Sequence, residues 1–247
     1  MDLMANRKHY HFDMMVSGGY VADHTFNHKF GAVPAMSVNE TGTVWDVSDT
    51  LYPWDALDTP AVVNVERNNV ADDGMTVVVQ GLDADFNPIE DTIVIDGADT
   101  LGTVLFHRVN RAFVINGGAT NVGDIDIEAG AAGGTTVARI TADLGQTLMA
   151  VYTVPAGKTG YIYQGTATAQ ASADGTGFMM VRYDGQTAFR VGHTFEVEGG
   201  GGQYLYDFAF PIPVPEKSDI DIRITTRSNN GRYTAALDIL LVDNDEA

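Results

Sequence analysis

Cysteine is absent from the 247 residues. That removes disulfides, thiolate nucleophiles and cysteine-ligated zinc from consideration, and with them any inference about redox compartment. Basic residues are scarce: 14 lysines and arginines stand against 33 acids, a formal net charge of −19. Such a surface repels phosphate backbones and anionic lipid, so neither nucleic acid nor membrane is expected as a partner. No apolar run reaches the length of a signal segment or a bilayer span. Helical patterning is missing as well, since no window of helical length carries an apolar stripe at i, i+3, i+4 and i+7.

What remains is a β signature. The chain is 45% hydrophobic, enough to bury a sizeable core, and holds 27 glycines. In "QYLYDFAFPIPV" the positions Tyr204, Tyr206, Phe208, Phe210, Ile212 and Val214 fall in one phase of a period of two. In "DIDIRITT" Ile220, Ile222 and Ile224 alternate with Asp219, Asp221 and Arg223, as expected for strands with one face in a core and one toward water or a neighbour. Turn signals separate the runs. Asp184-Gly185, between "FMMVRY" and "QTAFRV", is the strongest of them, because glycine accepts the positive φ that a tight hairpin demands.

These features predict an all-β protein in three parts. Residues 1–31, with four of the six histidines, read as an irregular N-terminal arm able to reach a neighbouring subunit. Residues 32–145 read as a β-sandwich domain, and "ADLGQ" (142–146) is the best boundary. Residues 146–247 hold about seven short strands with local turns, the density of a jelly-roll β-sandwich, and are expected to form a self-contained unit.

The motifs that imitate chemistry fail on spacing. Asp83-x-Asp85-x-Asn87 begins like a calcium loop, but the sixth position is Pro88 rather than glycine and the twelfth is Val94 rather than glutamate. A hairpin turn with Asx hydrogen bonding is the better reading. "VPAGKTG" ends like a phosphate-binding loop, yet Tyr152 stands where its first glycine belongs and a strand follows. His9, His11, His24 and His28 lack an acid at metalloenzyme spacing, no serine sits in G-x-S-x-G, and the aspartates cluster at turn-like or charge-alternating places. Neither catalytic, metal nor cofactor residues are assigned. Trp45, Tyr52 and Trp54 in "VWDVSDTLYPWDAL" read first as core or subunit packing and second as a ligand platform.

"HKFGAVP", "VWDVSDTLYPW", "GLDADFNPIED" and "FHRVNRAFVINGG" resemble, in this order, segments of virion structural proteins of short-tailed marine bacteriophages. The matching positions are His28 to Gly31 with Pro34, Val44 to Asp46, Tyr52 and Trp54, Gly81 to Asn87 with Glu90, and Phe106 with Arg108 and Val109. The resemblance spans about residues 28–145, and the later part is similar to the jelly-roll module of phage surface proteins. It implies a non-enzymatic virion protein, foremost a capsid decoration (cement) protein on the outer surface of the head, assembled in the host cytoplasm. Its implied partners are the major capsid protein and neighbouring copies of itself, a trimer among the arrangements allowed. The expected contact residues are Arg7 and Lys8, cations beside aromatics in the arm, together with His28, Lys29, Phe30, Trp45, Tyr52 and Trp54. The alternative is a tail-associated fibre or adhesin whose jelly roll binds glycans.

Overall fold

The computed structural model describes residues 11–115, 120–200 and 202–244. A short helix α1 (Phe12–Ser17) precedes sixteen strands. These are β1 (His24–Met36), β2 (Thr41–Thr43), β3 (Val63–Arg67), β4 (Thr76–Leu82), β5 (Pro88–Val94), β6 (Asp99–Leu101), β7 (Arg108–Val114) and β8 (Ile125–Ala129). There follow β9 (Thr135–Ile140), β10 (Val151–Thr153), β11 (Lys158–Ala169), β12 (Gly175–Arg182), β13 (Arg190–Val197), β14 (Gln203–Val214), β15 (Asp219–Thr226) and β16 (Gly231–Asp243). The all-β expectation holds.

Two of the four sheets have the orders β1-β16-β11-β14 and β10-β15-β12-β13. Their antiparallel pairs are nested: β12 with β13 innermost, then β11 with β14, β10 with β15, and β1 with β16 outermost. Nested pairing of eight strands is what results when one long hairpin is wrapped into two facing sheets, and that is a jelly roll. Alternation supplies the core between the sheets. Ile162, Val214, Leu237, Ile239 and Leu241 of one layer meet Met179, Val181, Ile220, Ile222 and Ile224 of the other.

The second strand of this jelly roll is interrupted. β2 covers β15 from Arg223 to Thr225, and β10 covers it from Asp219 to Asp221, so the two lie end to end along one edge. Between them the chain leaves after Val44 and returns at Ala150, whose N–H donates to the Val44 carbonyl at 2.9 Å. An antiparallel bridge from Trp45 to Met149 closes the neck. The intervening chain forms the other two sheets, β6-β3-β8-β9 and β5-β4-β7, around a core that includes Val65, Val77, Val79, Ile125, Ile127 and Ile140.

The expected division of the chain is therefore corrected. The jelly roll does not start at residue 146; it includes residues 24–44, and Val33, Met36 and Val44 belong to its core. The sandwich expected at 32–145 is an insertion within one strand. The arm expected at 1–31 is also reassigned in part: His24 to Gly31 pair with Val242 to Ala235 of β16, and α1 sets the Phe12 ring edge-on to His24 at 5.7 Å. A segment bonded along its length to its own sheet is not free to reach a neighbour. Residues 1–10, with Arg7 and Lys8, lie outside the described residues.

The DADFN segment is the β4–β5 turn. Asp83 Oδ1 accepts from the backbone N–H of Asp85 (2.9 Å) and Asn87 (2.8 Å), and Phe86 takes a left-handed φ of 64° to close it. The Asp184-Gly185 turn does join paired strands, but its loop is longer than a tight hairpin because Phe189 is drawn inward, 5.5 Å from the Trp54 ring.

Candidate functional site

Between the jelly roll and the insertion lies an open cleft of about 700 Å³. One wall is β1 from Phe26 to Phe30; the other is Gln80 to Leu82 of β4, Pro88 to Glu90 of β5, and Asn110 and Arg111 of β7. Gln146, Thr147, Tyr152 and Pro155 close the back. The hairpin turn puts β4 and β5 side by side, and the return of β10 brings Tyr152 beneath them.

His28, Lys29 and Phe30 all reach this cleft, in different states. On a strand, successive side chains point to opposite faces, so Lys29 turns inward where His28 and Phe30 turn out. The His28 ring stacks at a tilt on Phe30 with centroids 5.4 Å apart, and its Nδ1 meets Asp238 Oδ1 at 2.5 Å. Lys29 is buried, with its amine donating to the Asn110 carbonyl. Burial, and then the Arg111 cation, lower its pKa from 10.5 to about 7. The remaining lining is polar and charged in both senses. Gln80 Nε2 donates to Glu90 Oε2 (2.8 Å), Arg111 Nη2 donates to Gln146 Oε1 (2.7 Å), and the Arg111 guanidinium lies 4.7 Å from the Phe113 ring centre. Tyr152 is buried, and burial pushes its phenol up to about 12. An open groove with exposed charges of both signs, amides and half-buried Phe30 and Ile89 suits an extended peptide segment.

The lysine has a measurable consequence. The unfolded chain holds this proton up to about pH 10.5, whereas the folded chain releases it near 7. Between those values the unfolded state binds more protons, so stability rises with pH; below about 7 the full penalty is present. Lys29→Met is expected to raise the melting temperature at pH 6, with the gain shrinking steadily from pH 7 toward 10. Thermal melts across that range check it, and a difference that does not vary with pH contradicts it.

Trp45, Tyr52 and Trp54 do not line the cleft. They form a run of edge-on rings inside the chain, Trp45 to Tyr52 at 5.2 Å and Tyr52 to Trp54 at 4.7 Å, each buried to 7% exposure or less. Their surface is used within the subunit, so the contact role expected of them is corrected to packing. Asp46, next to Trp45, is unusual: Oδ2 accepts from Thr141 Oγ1 at 2.8 Å while Oδ1 is buried without a hydrogen-bond partner among the described residues. Burial raises its pKa to about 6.

Asp219 and Asp221, read from the sequence as solvated, are buried at 2% and 0% exposure. They point away from the jelly-roll core, but the insertion covers that side. Asp219 takes Arg108 Nε (3.1 Å), Arg182 Nη2 (2.6 Å) and Thr153 Oγ1 (2.6 Å). Asp221 takes Thr43 Oγ1 (2.9 Å), Trp54 Nε1 (3.0 Å) and Arg223 Nε (2.9 Å). Arg182 and Arg223 also lie against the Phe189 ring, at 5.0 and 4.5 Å. This network clamps the insertion to the jelly roll. Sequence reasoning missed it, together with the cleft residues Asn110, Arg111 and Gln146. The one available signal was the proximity of Arg223 to two aspartates in "DIDIR".

No family model matches this chain, and no curated protein does. Among solved structures, the chain is similar to that of infectious bursal disease virus Gt strain at 11% identity, over 96% of this chain and 86% of that one, with a TM-score of 0.19. It is similar also to a mutant VP2 protein of the same virus from derived T=1 particles: 11% identity, 90% and 74% coverage, and a TM-score of 0.20. Likeness at this level carries no argument, and the jelly-roll assignment rests on the strand pairings alone.

Proposed function

We propose that this chain is a non-enzymatic structural protein of a bacteriophage virion, a capsid decoration protein that holds a segment of a neighbouring subunit in the cleft between β1 and the β4–β5–β7 sheet. The observation that carries the reading is convergence. The segments that resemble phage virion proteins come from two separate stretches, one on β1 and one spanning β4 to β7, yet His28 to Phe30 meet Gly81 to Leu82, Pro88 to Glu90, Asn110 and Arg111 on one cleft. The jelly roll agrees with this by analogy only, since viral capsid domains and lectins share that architecture with other proteins. The major capsid protein is the proposed partner, on the outer surface of the head. Many modest contacts of this kind, each bridging adjacent subunits, stabilise a lattice without any one being tight.

The test is addition of purified full-length chain to particles lacking their own copy, with occupancy measured by co-sedimentation. Wild type is expected to decorate, and Ile89→Asp combined with Arg111→Glu is expected to reduce occupancy at least about tenfold, the equivalent of about 1.4 kcal/mol. Arg111 is exposed, but Ile89 is half-buried against the insertion core, so a cooperative circular dichroism melt of the variant is the folding control. Undiminished occupancy would remove the cleft from the account.

One observation favours the tail-adhesin reading. The Tyr204 and Tyr206 rings are parallel within 2° at 6.3 Å, and Tyr206 is 46% exposed, a surface on which sugar rings can stack. Saturable binding of host surface polysaccharide, lost in Tyr206→Ala, would support it over decoration.

A further inference from the structure

β14 and β11 pair in two stretches with different offsets. Ile162 faces Ile212, whereas Gln164 faces Asp207. Tyr163 alone thus stands against four residues of β14, namely Phe208, Ala209, Phe210 and Pro211. The surplus is extruded as a bulge and the alternation of the strand is broken. Phe208 stays half-buried against the jelly-roll core, its ring 5.1 Å from His193. Phe210, which the alternation placed on the same face, is instead 90% exposed, more than any other large hydrophobic residue among those described.

Other exposed apolar side chains lie on the same and nearby strands: Tyr163 on β11 opposite the bulge, Leu205 and Tyr206 on β14, and Val191 on β13, two residues from the His193 ring that meets Tyr206. From Gln203 to Val214 the only charge is Asp207, and its carboxylate already accepts from Gln164 Nε2 at 2.5 Å. In a chain of net charge −19, this strand carries a single charge in its 12 residues and three exposed large apolar side chains, Leu205, Tyr206 and Phe210. It is also the outer strand of its sheet, yet Pro211 and Pro213 offer no N–H, which blunts addition of a further strand.

We propose that this bulge is a self-association contact, with Phe210 packing against the same patch of a second copy across a symmetry axis. Charge selects the occupant. Two bodies of net charge −19 repel wherever their acids face each other, so identical copies meet most readily through a patch almost without charge. A basic partner would be drawn to the acidic faces instead. A patch that meets its own symmetry mate must also be self-complementary; uncharged aromatic and aliphatic side chains satisfy that and a single-sign charged patch does not. The prolines make the contact one of side chains rather than of a shared sheet.

The experiment is sedimentation velocity on the full-length chain up to about 100 μM, a range that resolves micromolar association. Wild type is expected to sediment as more than one copy of the 26.5 kDa chain. Phe210→Asp, and separately Tyr206→Arg, are expected to give the single-chain mass with an unchanged β-sheet circular dichroism spectrum. Val70→Asp, at a 70% exposed position on the insertion, is the control that keeps the wild-type mass. A wild type that stays at the single-chain mass overturns the proposal, as does a wild-type mass retained by both patch variants or lost in the control.

Discussion

Residues 146–247 expressed alone are expected to give a molten or aggregated product rather than a domain with a cooperative melt. The fragment contains seven strands of the jelly roll but lacks β1, which pairs with β16 from His24 to Met36, and β2, which covers Arg223 to Thr225 of β15. It also lacks Val33, Met36 and Val44, all at 4% exposure or less. At about 1.5–3 kcal/mol for each large buried side chain, their loss amounts to roughly 5–9 kcal/mol, comparable to the whole stability of an ordinary domain. A shortened chain that joins residues 11–45 to 149–244 by a two- or three-glycine turn is expected to melt cooperatively, because Trp45 and Met149 are already antiparallel partners at the neck. Circular dichroism melts of the two chains check this. A cooperative melt from 146–247 would show that β1 is dispensable and that the jelly-roll boundaries drawn here are wrong.

Asp221→Ala is expected to be the most damaging single substitution considered. The carboxylate is fully buried and accepts from Thr43, Trp54 and Arg223 at 2.9–3.0 Å. Removing it strands an indole N–H, a hydroxyl and a guanidinium beneath the insertion. Breaking one partner of a buried ion pair costs about 3–5 kcal/mol, which for a chain of this size lowers the melting temperature by about 10 °C. Asp221→Asn keeps an acceptor and should fall between. Asp238→Ala, which removes the carboxylate beside the exposed ring of His28, is the comparison and should cost under about 1 kcal/mol. Equal, small effects at 221 and 238 would mean that the insertion is not held by this network.

The strands and several turns were legible because their information is local. Alternation in "DIDIRITT" placed Ile220, Ile222 and Ile224 in the core, and the spacing in DADFN placed the β4–β5 turn where Asp83 caps it. Pairing was not legible. His28 and Asp238, neighbours across β1 and β16, are 210 residues apart, and nothing in the period of "HTFNHKFGAVPAM" names its partner. Alternation also assigns two faces without saying which is wet. Asp219 and Asp221 were correctly set opposite the isoleucines, yet their side is sealed by a sandwich inserted 70 residues earlier. Phe210 failed for a third reason: a bulge turns the strand locally, so Phe210 leaves the core face although Ile212 and Val214 beyond it return there. The cleft was half legible, since His28, Lys29, Phe30 and the hairpin stood out as words, while Asn110, Arg111 and Gln146 gain meaning only once the sheets are assembled.

The virion reading is tested most directly by an electron-microscopy map of the phage particle that carries this chain, at a resolution that distinguishes its two sandwiches. The account predicts the chain on the outer surface of the head, with a segment of a neighbouring capsid subunit lying between β1 and the β4–β5–β7 sheet, against Phe30, Ile89 and Arg111. A map that places the chain at the tail, or on the head with that cleft facing open solvent, would contradict it.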